Sequence, residues 1–325
     1  MQIVHRRNHR NHNLTKPEGP SPRAARSTMQ IGSTRIADTF AEAFGVRCAR
    51  LVVTAHDFHW LEAGLAAACG YGTSVIGCDA EIGVETRLAP SETPDGRPGA
   101  AVLACSFATE GLGRAVANRV AQCLLTCPTS AVYDGLPASG ERIAVGGYVR
   151  SFGDGFEKSK LLDGRRYWRI PVMDGEFLVE ETAGVVKGVA GGNLIVQGRS
   201  LEAALAAARR AVAAIAEVPG TITPFPGGVV RSGSKVGSRY PGLRASTNEA
   251  FCPSLVGRVA SEVDPAASAC LEIVIDGLDA AAVALAMQVG LRAAAGPDVP
   301  LISAGNYGGK LGKHHFRLHE ILASA

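Results

Sequence analysis

A single unit limits what this chain can fold into: a short apolar run of strand type, a turn, and then a stretch of helical period. The unit recurs four times along 325 residues. Arg50–Thr54, Asp57–Cys69 and Thr73–Gly77 read as strand, helix and strand, with Leu61, Leu65 and Ala68 on one helical face. Ala100–Ser106, Thr109–Thr126 and Ala131–Tyr133 repeat it, aligning Leu112, Val116, Val120, Cys123 and Leu124. In the third copy the strand Asn193–Gln197 precedes an Ala-rich helix over 200–218, capped by Ser200 and ended by Pro219-Gly220. The fourth is Leu271–Ile275, Asp279–Ala295 and Leu301–Ser303. Ahead of the first unit, Asp38 or Thr39 is expected to cap a short helix through Phe44. Four such units pair into two related split-βαβ, ferredoxin-like lobes, an α+β fold with helices on largely antiparallel sheets. Between them, from Asp134 to about Ala190, Gly146-Gly147, Asp154-Gly155, Asp163-Gly164 and Asp174-Gly175 punctuate short runs, the pattern of a hairpin-rich insertion. The third and fourth units also end alike, PFPGGVVRSGSKVGS beside SAGNYGGKLGKHH, an internal duplication of about 70–75 residues.

A core of this size is compatible with 46% hydrophobic and 19% charged residues, and a net charge of +3 gives no footing for nucleic acid. The longest apolar stretch, 201–218, is broken by Glu202, Arg209, Arg210 and Glu217, so no membrane span is expected. Residues 1–28 differ from the rest: they are rich in Arg, His, Asn and Pro, and their Met1-Gln2-Ile3 recurs as Met29-Gln30-Ile31. They read as a spurious or disordered extension, leaving an N-terminal lobe over 29–172 and a C-terminal lobe over 173–325. The eight cysteines sit mostly in apolar segments without a C-x-x-C pair, and read as buried free thiols in a reducing cytoplasm. No metal site is expected: His5, His9 and His12, the Cys123/Cys127 pair, His56/His59 and the C-terminal histidines all lack completing ligands.

The longest patternless run, 223–253, is where a ligand is expected. Gly227, Gly228, Gly233 and Gly237 let the backbone bend and approach a ligand, and Ser232, Ser234, Lys235 and Ser238 interleave donors and a cation. Thr247, Asn248 and Glu249 add an amide and a carboxylate; an ordinary surface loop is the alternative. Glu272 stands on a strand otherwise apolar, where a carboxylate is costly unless paired, protonated or at a cleft; an edge strand facing water is the other reading. Gly191-Gly192-Asn193 is expected to close tightly before a strand. Arg97, in the turn Pro94–Pro98, is read as turn packing rather than a grip on a ligand carboxylate.

The wording of these segments resembles the formylmethanofuran:tetrahydromethanopterin formyltransferase family. PFPGG, SKVGS and ASTNEAFCP carry the likeness, with DTFAEAF (38–44), TSVIGC (73–78), ETPDGRPG (92–99), SFGDGF (151–156), GVAGGN (188–193), EIVIDGL (272–278) and ISAGNYGGKLG (302–312). They occur in order from Met29 to about Leu322. The resemblance implies formyl transfer between N5 of a tetrahydropterin and the primary amine of methanofuran, both as substrates and with no tightly bound cofactor. Such chemistry needs a base for the attacking amine, an acid for the leaving nitrogen and donors for the oxyanion. One carboxyl group with a raised pKa can serve both proton roles. Glu272 is the first candidate and Glu249 the second, a solvated or capping loop residue being the alternative for Glu249. Main-chain N–H groups near Gly227-Gly228 or Gly233-Ser234 are candidates for the oxyanion, with Lys235 as cation or as partner of an acidic methanofuran tail. Asn193, Asn248, Asn306 and Lys310 are candidates for pterin, phosphate or main-chain contacts. The resemblance further implies a homo-oligomer, or one subunit of a bacterial formyltransferase/hydrolase complex working towards formate. A non-catalytic scaffold that only holds the pterin is the rival reading.

Overall fold

The computed structural model describes residues 29–324; the reading of residues 1–28 lies outside them. Two long strands form its spine. Phe40–Thr54 and Thr182–Gly198 run antiparallel, in register from Val185 opposite Ala49 to Ala190 opposite Phe44. Among the described residues fifteen strands, these two included, form one mixed sheet, antiparallel except Leu178–Val179 beside Ala131–Val132 and Leu301–Ile302 beside Arg35–Ile36. With six α-helices among the described residues packed on it, the fold is α+β.

Two large apolar clusters fill the interior. In one, the helices Leu201–Ile215 and Ala280–Ala294 lie against each other and against Leu194, Val196 and Ile273. Ala204, Ala207, Ala208 and Ala211 recur at i, i+3, i+4 and i+7, a stripe of small residues that lets the helices approach closely. Gly290 sits at that contact: a Cβ there would come within 3.0 Å of Ile215 and Leu194. In the other cluster, Leu61 and Leu65 of the helix Phe58–Cys69 meet Leu112 and Val116 of the helix Thr109–Arg119, which widens into a π-type turn over Val120–Leu124. Helix starts follow the sequence. Asp57, Ser200 and Asp279 each accept a main-chain N–H two or three residues into the helix, at 3.1, 3.1 and 2.8 Å.

Several expectations are corrected. Residues 38–44 form no helix; Phe40–Phe44 begins the first long strand and pairs with His314–Arg317. Its Phe-Ala-Glu-Ala-Phe alternation is of strand period, and burial of Ala41 and Ala43 overrides the capping signal. Residues 73–77 are turns, and the strand lies further on, at Glu81–Leu88. Its pattern is disguised by Glu81 and Glu85, both buried because each has interior partners. Asn193–Gln197 is the end of a 17-residue strand, and Gly191-Gly192 is a bulge within it rather than a turn before it. Gly146-Gly147 opens a short helix, not a hairpin. The hairpins Lys158–Leu162, Arg165–Val172 and Gly175–Glu180 follow as expected. Not all cysteines are free: Cys48 and Cys105 lie opposite one another on neighbouring strands, Cα atoms 4.3 Å apart, and form a disulfide. Spacing along the chain carries no signal of that register.

Candidate active site

Glu272 lies within the strand Ala269–Gly277, and the loop from 223 returns beside it. Val230 bonds the Glu272 main chain in both directions, at 2.7 and 3.1 Å. Four residues later the chain passes over the carboxyl group, and the Ser234 hydroxyl donates to Oε1 at 2.6 Å. Gly233 makes that path possible. Its φ is +71°, and a Cβ there would fall 2.5 Å from Cβ of Asn248. The outgoing and incoming halves of the loop are stitched together by Asn248 N–H and the Thr247 hydroxyl, both donating to the Ser232 carbonyl, and by the short ribbon Lys235–Val236 with Ala245–Ser246.

Burial pushes the Glu272 carboxyl above its ordinary range, and hydrogen bonds from the hydroxyl and main chain of Ser234 only partly offset this. Its Oε2 has no partner among the described residues, and the residue is 4% exposed. A carboxyl group held in this way keeps its proton more readily than a surface glutamate and has one oxygen uncommitted. Glu249 is the opposite case. Lys235 Nζ reaches both its oxygens, at 2.5 and 2.7 Å, and the resulting bonds hold its carboxyl below the usual range. The two charges answer each other, so Lys235 is no free cation and Glu249 no ready proton donor.

A cleft of about 240 Å³ gathers Asn193, Ser234, Lys235, Asn248, Glu249, Glu272, Asn306 and Tyr307. Beside it lies a larger cavity of about 600 Å³, walled by Phe44, Phe107, Phe225 and Val274. Both are lined by Asn193, Ser234, Val236 and Tyr307, which therefore stand between them. The other expected residues fall elsewhere or are otherwise engaged. Gly227 and Gly228 turn against the helix Leu201–Ile215, where a Cβ on Gly228 would meet Val212 at 2.7 Å, and line neither space. Lys310 is exposed and lines neither. Asn193 spends both ends of its amide on Gly305, at 3.1 and 2.6 Å. Asn306 bonds Thr39 and Phe40. These two amides shape the wall rather than face it unpaired. Arg97 is engaged by Asp95, Thr54 and the Thr129 carbonyl, as turn packing requires.

Three groups escaped the sequence reading. Tyr307 donates its hydroxyl to the Ser234 carbonyl at 2.6 Å; burial, with the charge of Glu272 nearby, pushes its pKa up to about 12. Glu42 holds the Tyr307 loop: its two oxygens accept N–H groups from Tyr307, Gly309, Leu311 and Gly312 at 2.6–2.8 Å. Burial alone would raise its pKa, but the four bonds together outweigh burial and leave it lowered. Glu81 and Asp276 form a buried carboxyl pair, Glu81 on the wall of the larger cavity. Burial raises both, and the charge of Glu81 raises Asp276 further. The alternation of strand residues was the available signal for Glu42, and the apolar setting for Asp276; none pointed to Tyr307.

The geometry can be set beside known proteins. Two family models cover the described chain: one described as formylmethanofuran-tetrahydromethanopterin formyltransferase matches residues 29–172, and one described as FTR, proximal lobe, matches 175–321. A formylmethanofuran–tetrahydromethanopterin formyltransferase of Rhodopirellula baltica is 50% identical, over 94% of this chain and 96% of its own. A subunit of the formyltransferase/hydrolase complex of Methylorubrum extorquens is 47% identical over 91% and 98%. Among solved structures, the Methanosarcina barkeri formyltransferase superposes with a TM-score of 0.86 at 47% identity, covering 90% of this chain and 100% of that one. The M. extorquens complex, solved with methylofuran, gives 0.87 at 47%, covering 91% and 99%. The chain belongs to the formylmethanofuran–tetrahydromethanopterin formyltransferase family.

Proposed function

We propose that the chain transfers a formyl group between N5 of tetrahydromethanopterin and the primary amine of methanofuran, with Glu272 as the acid/base. The observation that carries the role of Glu272 is its burial on the cleft wall with one oxygen uncommitted. The amine attacks the formyl carbon, and the tetrahedral oxyanion collapses as the C–N5 bond breaks. Glu272 in its ionised form takes the proton that the amine sheds; in its protonated form it returns that proton to N5, so one carboxyl group balances the exchange. A raised pKa favours the protonated form, the one that returns the proton to N5. Two adjoining spaces that meet at Ser234 and Tyr307 support a ternary complex, one substrate in each. Main-chain groups around Gly233-Ser234 remain the candidates for the oxyanion, whereas the position of Gly227-Gly228 supports a turn. Asn248 and Lys235, on the cleft, remain binding candidates; nothing in the placement of Lys310 supports that role.

Both substrates come and go, and no resident cofactor is part of this reading. The chain is read as two related split-βαβ lobes, 29–172 and 173–325, a division supported by the limits of the two family models, although each apolar cluster draws residues from both sides of it. It works in the cytoplasm, as an oligomer or as one subunit of a formyltransferase/hydrolase complex like that of its M. extorquens relative, towards formate. No described helix is long and apolar enough to cross a membrane.

The test is formyl exchange between the two substrates by the full chain, with Glu272→Gln and Glu249→Gln alongside. Glu272→Gln should lower kcat by about a hundredfold or more, with Glu249→Gln far milder. A dead Glu249→Gln beside an active Glu272→Gln would reverse the assignment.

A further inference from the structure

Resting on the formyl-transfer reading, we propose that Glu81 and Asp276, sharing one proton, clip two walls of the larger cavity to each other and so position the substrate seated there. Glu81 opens the strand Glu81–Leu88, and Asp276 lies on Ala269–Gly277, the strand that carries Glu272. Each spends one oxygen on a main-chain N–H of the cavity wall. Glu81 Oε1 accepts from Val75 and Asp276 Oδ1 from Gly191, both at 3.0 Å. Ser74, Val75 and Ile76 line the cavity from the turn before Glu81, and Ala190, Gly191 and Asn193 line it from the second long strand. That leaves Oε2 and Oδ2, which find no other partner among the described residues, and the two side chains hydrogen-bond to one another.

The buried carboxylates Glu85, Asp134, Glu180 and Asp264 each lie against an arginine. Among the described residues no cation answers Glu81 or Asp276. Two carboxyl groups facing each other in a dry interior cannot both ionise, so one proton bonds them. Burial, which raises both pKa values, keeps that proton in place. Neither tie is a by-product of the sheet. Pairing of Thr182–Gly198 with Ala269–Gly277 shifts register between Val189 and Gly192. Gly191, at φ +95°, is thereby left out of the ladder, and its N–H goes to Asp276. On the other wall, Ser74–Gly77 is a turn closed by its own main chain, Gly77 N–H to the Ser74 carbonyl at 3.0 Å, and Glu81 ties its Val75 to the sheet. Two residues beyond the bulge stands Asn193, on the partition between the cavity and the Glu272 cleft. Fixing the bulge therefore fixes that partition. Neither member of the pair lines the cleft itself, so both are positioning residues, and their effect falls on binding in the larger cavity rather than on proton transfer at Glu272.

Amides test the shared proton because one can stand in for either partner but not for both. In Glu81→Gln or Asp276→Asn the new NH2 group donates to the carboxylate left opposite, and the carbonyl keeps its main-chain N–H. With both changes two NH2 groups meet, and relief comes only by turning one amide against the N–H of Val75 or Gly191. In the full chain each single variant should hold KM for both substrates within about threefold. The double variant should raise KM for one substrate about tenfold or more, with kcat held within about threefold. Amide hydrogen exchange at Val75 and Gly191 should be slow in wild type and both single variants, and about tenfold or more faster in the double variant. Should the double variant not fold, Val75→Pro takes its place: position 75 is the second residue of the turn, where proline fits, and the N–H that Glu81 holds is lost. The same rise in KM is expected of it. A double variant like wild type, single variants as damaged as the double, an equal rise in KM for both substrates, or a fall in kcat at constant KM would overturn the proposal. If wild type transfers no formyl group, the reading of the reaction fails instead. Calorimetric binding of tetrahydromethanopterin and of methanofuran, with the exchange, then decides this one: one substrate bound more weakly and exchange faster in the double variant support it, and unchanged or absent binding overturns it.

Discussion

Glu42 and Glu272 are two glutamates on interior strands, 1% and 4% exposed, and the protein treats them in opposite ways. Glu42 is surrounded by four main-chain donors and is held ionised. Glu272 has only Ser234 for a donor residue, through its hydroxyl and main chain, leaves Oε2 without a partner, and is biased towards its neutral form. Both are buried; what separates them is the number of donors. A carboxylate with a full set of N–H partners is a structural anion, while one left short of partners is reactive and strained.

The contrast can be broken from either side. The largest effect should come from Glu272→Gln, which removes the proton carrier and lowers turnover by about a hundredfold or more while leaving denaturant stability unchanged or raised by about 1 kcal/mol, because the neutral amide suits the site. A large stability loss there would put Glu272 in the same class as Glu42. Glu42→Ala should do the reverse, leaving four N–H groups unpaired and lowering unfolding free energy by about 3–5 kcal/mol in urea titration. If it were neutral, the cradle would be incidental to the fold.

The pH dependence sharpens the same point. The folded pKa of Glu42 is lowered, so its contribution is present above the unfolded value near 4.5 and is lost as pH falls through the folded value. Glu81 and Asp276 are raised, so their contribution is complete below their unfolded values of 4.5 and 3.8 and is lost as pH rises through the folded ones. Glu81→Gln should therefore stabilise the protein increasingly from about pH 5 upward, by about 1–2 kcal/mol at alkaline pH in thermal or urea unfolding. A constant difference at all pH values would mean that the pair is not strained by charge. The smallest effect is expected of Ser234→Ala. Without its hydroxyl the Glu272 carboxyl is harder to ionise, so the acidic limb of the rate profile should move to higher pH, with a loss of only about three- to tenfold near neutrality. An unmoved limb would detach Ser234 from the chemistry.

Why Glu272 was legible in the sequence and Glu42 was not follows from the same contrast. Glu272 contradicts its own neighbours, a charge in an apolar strand, and that conflict is local. The partners of Glu42 are main-chain groups at 307–312, which no side-chain pattern announces. Helices were readable where caps and apolar stripes agree, as at Ser200 and Asp279. Glu81–Leu88 was hidden because its buried carboxylates find partners in Arg50, Val75 and Gly220, brought near only by the fold. In the ligand loop the sequence offers four glycines as equals. Packing divides them, with Gly233 beside Glu272 and Gly228 against a helix.

The cradle of Glu42 also sets a clock. Its last donor, Gly312, lies 270 residues further along the chain, and the strand that pairs with Phe40–Ala43 is His314–Arg317. During synthesis the first long strand leaves the ribosome with this edge open and its glutamate unmatched. Long-range pairings of this kind close late. The Tyr307 wall is then expected to be among the last parts to set, once His314–Arg317 has met Phe40–Ala43.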